Sequence, residues 1–407
     1  MKKTLLKLFT AAMATVMTVA CFSACGGNKS GSYTANNTEY YFGASGPLTG
    51  AAGVYGNAVK NGASLAVKEI NDKGGIDGIK INFNMYDDKH DQTTVANGYA
   101  SQLEAGMQVS LGCVTTKPCL QYKALSKDDN VFFITPSATA DSVVEFNNAY
   151  QMCFSDSTQG SASAKYVTEN VGSDVQIGVF YKSDDDYSKG IYNKFISEFK
   201  SELGYTFNGK EVKIASFNDD NATDFTAQVE ILKDCKFIFM PIYYAPAATF
   251  IKAAMGKIAD DAIYFGGDGL DGVETELGDT FSSVTQGIYY ISHFDSKATT
   301  GKAGDFIKNY KEAYDSDPIQ FAASAYDCVY ALADAISYAK NTLKRDVPVT
   351  ISASDMCEIL KEVFQDDGFS VSGVTGTDMK WNADGTVNTS TKVVSEYVIK
   401  EVSQLLG

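Results

Sequence analysis

Three short stretches of the sequence place small polar or acidic residues directly after a run of apolar ones. Two of them, Leu111–Thr116 (LGCVTT) and Phe132–Ala140 (FFITPSATA), end in small residues rich in hydroxyls. The third, Tyr264–Gly269 (YFGGDG), carries Asp268 between glycines. Such apolar runs are typical of buried strands, and open α/β sheets bind ligands at the carboxyl ends of their strands. Hydroxyl and N–H donors hold a carboxylate and an aspartate holds an ammonium, so the three ends favour a pocket for a free α-amino acid, unless the hydroxyls only cap the following helices.

These stretches belong to a chain that alternates strand and helix patterns. Strands are predicted at 40–44, 79–86, 109–111, 132–135, 177–181, 212–217, 237–242 and 262–266. Helices are predicted at 58–71, 93–104, 120–126, 161–171, 191–203, 225–232 and 247–255. Repeated βα units give a mostly parallel sheet with helices on both faces. Because one core rarely grows past about 250–300 residues, the 407-residue chain is expected to form two such lobes.

The first residues have the pattern of a secretory signal. Three lysines within the first seven residues precede an apolar run from residue 8 to about residue 24. The tetrad Phe22–Cys25 resembles a bacterial lipobox, although phenylalanine stands where leucine is usual, and Cys21 is a second candidate for lipidation. We therefore expect a signal peptide over 1–24, a lipidated Cys25 and a flexible tether over 25–37; an ordinary cleaved signal is the alternative.

Composition argues against several classes of function. The formal net charge of -16 repels nucleic acid and anionic lipid surfaces, so neither is expected as a polyanionic partner. The cysteines beyond Cys25 show no C-x-x-C and no zinc-type spacing, and no cofactor or metal is expected. Cys113 and Cys119 could form a disulfide or remain thiols.

Two polar motifs have a structural and a chemical interpretation. In YDDKHDQ, His90 stands among three aspartates, which suggests either a metal site or a strand end followed by a helix cap at Asp91. The two histidines, His90 and His293, have no G-x-S-x-G partner for a catalytic triad, so enzymatic activity is not expected.

Several stretches, in this order and at this spacing, resemble a known family. They are SGPLTG at Ser45, VYG at Val54, AVKEINDKGGIDG at Ala66, YDD at Tyr86, ITPSATA at Ile134, GGDG at Gly266, AYDCVYALADAI at Ala325 and GVTGT at Gly373. From about residue 40 to residue 400 the chain is similar to the branched-chain amino acid type of ABC-transporter solute-binding protein, which has the type I periplasmic-binding fold. The resemblance implies an α/β clamshell whose chain crosses a hinge near Phe154, His293 and Gly376. The lobes would be 38–154 with 293–376, and 155–292 with 377–407.

The resemblance also assigns the polar end of the ligand. Thr116 and Thr139 resemble the residues that bind the ligand α-carboxylate through N–H and hydroxyl groups. The carbonyl of Ser137 resembles an acceptor of the α-ammonium, and Asp268, from the second lobe, resembles its acidic partner.

The ligand side chain is assigned less closely. Tyr55, Tyr187 and Tyr243 resemble aromatic walls of the cleft, and Tyr326 is expected to face it too. The segments GCVTTKPC and FMPIYYAPA differ from those of members selective for leucine, isoleucine and valine. The resemblance therefore implies an amino acid, apolar or branched-chain, without fixing which one.

The implied partners follow from the family. We expect a monomer that delivers its amino acid to an ABC permease and its ATPases, anchored by lipid on the extracellular face of a Gram-positive type membrane, or periplasmic in a Gram-negative cell. Two alternatives use the same fold. One is an extracellular receptor domain, and the other is a binder of urea, short amides or a peptide-like ligand, which would not need Thr116, Thr139 and Asp268 together.

Overall fold

The structure is a computed structural model that describes residues 37–202, 204–390 and 395–400. The predicted signal peptide, the predicted lipidation site Cys25 and all of the predicted tether except Asn37 lie outside the described residues. Within the described residues, no helix has the length and apolar character needed to cross a membrane.

The first of two large sheets is parallel throughout and has the strand order β2-β1-β3-β4-β5. Its strands are β1 (Tyr40–Gly46), β2 (Ile81–Asp87), β3 (Val109–Cys113), β4 (Phe133–Thr135) and β5 (Ala149–Gln151). All residues of β1, β3, β4 and β5 are buried, as expected for parallel strands that are covered by helices on both faces. Their carboxyl ends therefore lie along one edge of the sheet.

The second large sheet has the order β10-β6-β11-β12-β13-β14, and only the last pair is antiparallel. Its strands are β6 (Ile177–Lys182), β10 (Lys213–Phe217), β11 (Phe237–Met240), β12 (Ile263–Gly266), β13 (Gly287–Ser292) and β14 (Ser395–Lys400). A small antiparallel sheet joins β7 (Lys200–Ser201), β8 (Gly204–Phe207) and β9 (Lys210–Glu211).

Helices flank both large sheets. The α-helices are α1 (Gly53–Asp72), α2 (Gln92–Glu104), α3 (Thr116–Asp128), α4 (Asp156–Asn170), α5 (Asp186–Ser197), α6 (Thr226–Leu232), α7 (Tyr244–Ala254), α8 (Val273–Leu277), α9 (Gly301–Tyr314), α10 (Gln320–Asn341) and α11 (Ala353–Phe364). The longest, α10, packs along α1 and against the first sheet, whereas α4 packs on α5 and against the second sheet. The first lobe thus consists of the first sheet with α1–α3 and α9–α11, and the second lobe consists of the second sheet with α4–α8.

The chain passes between the lobes in three places. It leaves β5 for α4 around Phe154 and returns from β13 to α9 around His293. Beyond the predicted third crossing at Gly376, the Trp381 side chain still donates to the Gln151 carbonyl of β5 at 2.8 Å, and the Gln151 N–H donates to the Gly385 carbonyl at 2.9 Å. We therefore place the third crossing after Gly385 and before β14, and the other lobe boundaries remain predictions.

Each predicted strand and helix overlaps an element of the structure, although several begin up to five residues earlier than predicted. The helix predicted over 191–203 ends at Ser197, and the chain continues into the β7–β9 sheet. No element was predicted at β5, α8, β13, β14 or the helices after residue 300.

Candidate functional site

Two threonines, Thr115 and Thr116, follow β3, and neither hydroxyl caps the helix α3 that begins there. The side chain of Thr115 stands at the N-cap position of α3 and makes no capping hydrogen bond to that helix. Thr116 is 1% exposed, and its hydroxyl has no hydrogen-bond partner in the described part of the chain. A buried polar group of this kind is costly without a partner, so Thr116 is placed to bind something beyond its own helix.

The end of β4 is rigid and presents a second such hydroxyl. The Thr135 hydroxyl donates to the Cys113 carbonyl at 2.7 Å, and the Ser137 hydroxyl donates to the Val114 carbonyl at 2.7 Å. These bonds tie the loop after β4 to the end of β3. Thr139, which is fully buried, keeps its hydroxyl without a hydrogen-bond partner among the described residues.

Asp268 lies at the end of β12 in a fully hydrogen-bonded setting. The Tyr187 hydroxyl donates to its carboxylate at 2.8 Å, and its backbone N–H donates to the Gln159 side-chain carbonyl at 2.8 Å. Its residue surface is 1% exposed. Burial raises the pKa of Asp268 to about 7 even though the hydrogen bonds from Tyr187 and Gln159 favour the ionised form.

Glycines on both sides of Asp268 allow this close packing. A Cβ atom on Gly267 would lie 2.6 Å from the Gln159 side-chain oxygen, and one on Gly269 would lie 2.5 Å from the Tyr187 hydroxyl. The GGDG stretch is therefore required by the approach of these two side chains to the turn that carries the acid.

Aromatic rings from both lobes meet next to these polar groups. The rings of Tyr187 and Tyr243 stack at 4.7 Å between centroids, and Tyr55 meets Tyr243 edge-on at 5.7 Å. A small cavity of about 10 Å³ lies between the lobes at this point, so the lobes must separate to admit a ligand. It is lined by Tyr55, Val114, Thr115, Ser137, Tyr187, Tyr243, Asp268, Gly269 and Phe321. Five of the eight predicted site residues line this cavity. Of the other three, Thr116 comes directly after the lining residue Thr115, and Thr139 comes two residues after the lining residue Ser137.

Tyr326 is the one predicted site residue that the structure does not bring to the cleft. Its hydroxyl donates to Glu69 at 2.6 Å, and its ring packs on Phe306 at 4.9 Å between centroids. The face of α10 that carries Tyr326 is turned toward α1 and α9, so the prediction that it faces the ligand is not supported.

Sequence reasoning missed two residues of α4 that lie behind this cavity. Asp156 is 1% exposed, and neither of its carboxylate oxygens has a hydrogen-bond partner within the ranges that the structure describes. Its N–H donates to the Thr139 carbonyl at 2.8 Å. Burial raises the pKa of Asp156, and the charge of Asp268 adds to the rise, whereas the nearby Thr139 hydroxyl opposes it by favouring the ionised form. Gln159 follows one helical turn later and holds the N–H of Asp268. The spacing of the two residues in DSTQG, which puts both on one helix face, was the available signal.

The YDDKHDQ motif has structural roles. Asp91 caps α2 by accepting from the Thr94 N–H at 2.7 Å, and Asp88 binds the Ser45 hydroxyl at 3.0 Å. His90 contacts the Thr115 hydroxyl through Nδ1 at 2.8 Å. Among the described residues no group of three or more histidine, cysteine, aspartate or glutamate side chains could hold a metal ion. Cys113 and Cys119 are both buried free thiols.

Several known proteins are similar to this chain. The Leu/Ile/Val-binding protein BraC3 of Rhizobium johnstonii is 30% identical over 56% of this chain and 61% of its own length. A leucine-, isoleucine-, valine-, threonine- and alanine-binding protein of Pseudomonas aeruginosa is 27% identical over 56% of this chain and 60% of its own length. The chain thus spans about three fifths of these two relatives.

Solved structures and the family profile extend the likeness over most of the chain. The substrate-binding protein LivJ of the branched-chain amino acid transporter of Streptococcus pneumoniae, solved with isoleucine, superposes with a TM-score of 0.72 and 26% identity over 89% of this chain and 96% of its own. The sequence profile of the periplasmic binding protein family matches residues 39–378. With two α/β lobes around a cleft of orphaned hydroxyls, tyrosines and a buried acid, the chain belongs to the periplasmic binding protein family.

Proposed function

We propose that this protein captures a free amino acid between its lobes and delivers it to an ABC importer. The proposal rests on one observation: the first lobe presents groups that bind a negative charge, and the second lobe presents a group that binds a positive charge. Two buried hydroxyls without partners in the described structure, Thr116 and Thr139, stand on the first lobe, and the buried acid Asp268 stands on the second. The likeness to proteins that bind leucine, isoleucine and valine supports the same reading.

The carboxylate of the ligand binds to the first lobe. The hydroxyls of Thr116 and Thr139 donate to it, joined by N–H groups at the start of α3, where the helix dipole favours negative charge. Hydrogen bonds to a charged group are worth about 1.5–3 kcal/mol each, so the first lobe alone holds the ligand weakly before closure.

The ammonium of the ligand binds between the lobes. Asp268 provides the counter-charge, the Ser137 carbonyl accepts one hydrogen bond, and Asp156, whose oxygens lack partners in the described ranges, adds a second carboxylate nearby. An ammonium brought next to Asp268 stabilises its ionised form, so binding below about pH 7 releases a proton.

The rest of the cavity suits an apolar side chain. Tyr55, Tyr187, Tyr243 and Phe321 line it and present rings rather than charges. The isoleucine bound to the similar Streptococcus pneumoniae protein agrees with this lining. We expect leucine, isoleucine and valine to bind more tightly than glutamate or lysine, because a second charge would be buried among rings without a partner.

Ligand binding is coupled to closure. The chain joins the lobes only at the hinge crossings, so the open form is expected to be the resting state and the ligand selects the closed one. Small-angle scattering should then show a smaller radius of gyration on ligand addition, and an unchanged value at saturation would contradict the clamshell mechanism.

The attachment to the cell is part of the same proposal. Lipidation of Cys25 anchors a monomer at the extracellular face of the membrane, where the ABC permease and its ATPases receive the amino acid. Metabolic labelling with a radioactive fatty acid should mark the protein and should fail for Cys25→Ser; labelling that persists would place the anchor elsewhere, Cys21 being the next candidate.

A thermal-shift screen against the twenty amino acids tests the function. A ligand at 100 times its dissociation constant stabilises the folded protein by about 2.7 kcal/mol. We expect the largest shifts with leucine, isoleucine or valine. A response to urea or acetamide with none to any amino acid would contradict the proposal in favour of the alternative solute.

A further inference from the structure

Two helices that border the cleft lack a cap from their own N-cap residue. The N-cap positions of α7 and α10 are Tyr243 and Ile319, and neither side chain accepts a hydrogen bond from its own helix. The first N–H groups of a helix have no partner inside the helix and carry a partial positive charge. The helix α10 has 22 residues, and the partial positive charge at its N-terminus has no partner on Ile319.

Each of these helices donates an N–H to an acceptor on the opposite lobe. The carboxylate of Asp271, which follows β12 in the second lobe, accepts from the N–H of Gln320 at the start of α10 at 3.1 Å. The hydroxyl of Tyr55, on α1 of the first lobe, accepts from the N–H of Tyr244 at the start of α7 at 3.2 Å. The same hydroxyl donates to the Gly269 carbonyl at 2.5 Å.

We propose that these reciprocal caps are a latch that holds the lobes together around the ligand, with Asp271 as a positioning residue that sets affinity without touching the ligand. Asp271 is 4% exposed and does not line the ligand cavity. The caps join groups on different lobes, so separation of the lobes must break both of them. The latch therefore contributes to the closed state alone.

The latch is tied to the ligand site by the chain itself. Asp268 and Asp271 lie three residues apart, so the acid that faces the ligand cavity and the acid that contacts α10 are carried by the same turn. Phe321, next to Gln320, lines the ligand cavity. Gly272 allows the close approach of this turn to the first lobe, since it has a φ of 96° and a Cβ there would lie 3.1 Å from Val54.

Removal of the Asp271 carboxylate tests the latch. Loss of a helix cap and its charge should weaken the binding of L-leucine about tenfold in Asp271→Ala, measured by titration calorimetry. Asp317→Ala is the matched control, because this exposed acid lies near the same helix start but pairs with Lys311 of its own lobe at 2.5 Å. An Asp271→Ala affinity within twofold of that of Asp317→Ala would overturn the proposal.

A second substitution separates a latch from simple helix stabilisation. Ile319 has the extended backbone of an N-cap residue, so Ile319→Asn gives α10 a cap within its own lobe. In the Asp271→Ala background the latch proposal predicts that Ile319→Asn, by capping α10, raises the melting temperature but leaves the affinity low. Recovery of the affinity together with the melting temperature would show that Asp271 only stabilises α10.

The affinity measurement uses an amino acid and so rests on the proposed function. Hydrogen–deuterium exchange of the segment 319–323 at saturating L-leucine follows the closed state directly, and it should be faster in Asp271→Ala than in the wild type and unchanged in Asp317→Ala. Equal exchange in the three liganded proteins would overturn the latch. A wild-type protein that does not bind L-leucine in the calorimetry would instead overturn the choice of ligand, and the same comparison is then made with the amino acid that gives the largest thermal shift.

Discussion

The two edges of the cleft carry different polar groups, hydroxyl donors on the first lobe and a carboxylic acid on the second. On the first lobe, the loop after β4 is fixed by the Thr135 and Ser137 hydroxyls, while the Thr116 and Thr139 hydroxyls have no partner among the described residues. On the second lobe, Asp268 is buried but held by hydrogen bonds from its own lobe. The first edge has free donors and the second has a buried acid.

Because of this difference, the ligand carboxylate and the ligand ammonium contribute to affinity in different ways. An unpartnered buried donor makes the ligand-free first lobe less stable, and the ligand carboxylate removes that cost. The buried acid is costly only when it is ionised, and the ligand ammonium removes that cost. A zwitterion satisfies both edges at once, whereas a ligand with one charge leaves one edge unsatisfied.

The largest expected effect is at the acidic edge. Asp268→Asn keeps the shape and removes the charge, and leaving the ammonium without its ion partner costs on the order of 2–5 kcal/mol, or roughly 30-fold or more in affinity. Titration calorimetry with L-leucine measures this loss. The exposed acid Asp279 is the control, and Asp279→Asn should bind as the wild type does. An Asp268→Asn affinity within about threefold of the wild type would place the ammonium elsewhere.

The pH dependence of binding sharpens the same point. Burial raises the pKa of Asp268 to about 7 against the hydrogen bonds of Tyr187 and Gln159, and since these two contacts belong to its own lobe, we expect Asp268 to keep a raised pKa when the cleft opens. The ionised form binds the ammonium, so affinity should rise by about tenfold from pH 6 to pH 8 and level off above. Asp268→Asn should flatten this profile. A wild-type affinity that falls over this range would contradict the assignment.

The hydroxyl edge should respond with opposite signs in two measurements. Thr116→Val removes a buried hydroxyl without a partner in the described structure, so the melting temperature of ligand-free protein should stay the same or rise. Its affinity for L-leucine should fall about tenfold, because a hydrogen bond to a carboxylate is lost. Thr135→Val is the contrast, since its hydroxyl bonds the Cys113 carbonyl and its loss should lower the melting temperature. A lower melting temperature for Thr116→Val would mean that its hydroxyl has a structural role.

The smallest effect is expected where the lobes touch through a neutral group. Tyr55→Phe removes a hydroxyl that bonds Gly269 and Tyr244 of the other lobe, and a neutral hydrogen bond of this kind is worth about fivefold in affinity. Tyr326→Phe is the matched control, because its hydroxyl bonds Glu69 within one lobe. Equal affinities of the two variants, measured by calorimetry, would show that the bond across the cleft does not contribute to closure.

The sequence predicted most strands and helices because parallel strands covered on both faces are continuous apolar runs. The same rule failed after Ser197, where β7 and β9 are exposed and β8 is only partly buried, so no continuous apolar run marks the strands and the helix was predicted to extend too far. The apolar pattern also cannot show which face of α10 points to the cleft, because this helix is buried on several sides. Tyr326 was therefore predicted to face the cleft, whereas it contacts Glu69 of α1.

Some residues of the polar site could be predicted from the sequence and others could not. Thr116, Thr139 and Asp268 were predictable because a strand end fixes where they lie. Asp156 was missed because an acid in the first turn of a helix is explained equally well by the helix dipole. The contact between Asp271 and Gln320 joins residues 49 positions apart on different lobes, and no local pattern encodes such a pair.

The central claim is that the protein recognises a zwitterion, whose carboxylate binds the hydroxyls of the first lobe and whose ammonium is neutralised by the acid of the second lobe. Titration calorimetry with L-leucine, isocaproate and isoamylamine tests it most directly, since isocaproate lacks the ammonium of leucine and isoamylamine lacks the carboxylate. The account predicts that L-leucine binds and that each analogue binds at least about 30-fold more weakly, because one edge of the cleft is left without its partner. Binding of isocaproate or isoamylamine within about threefold of L-leucine would contradict the account.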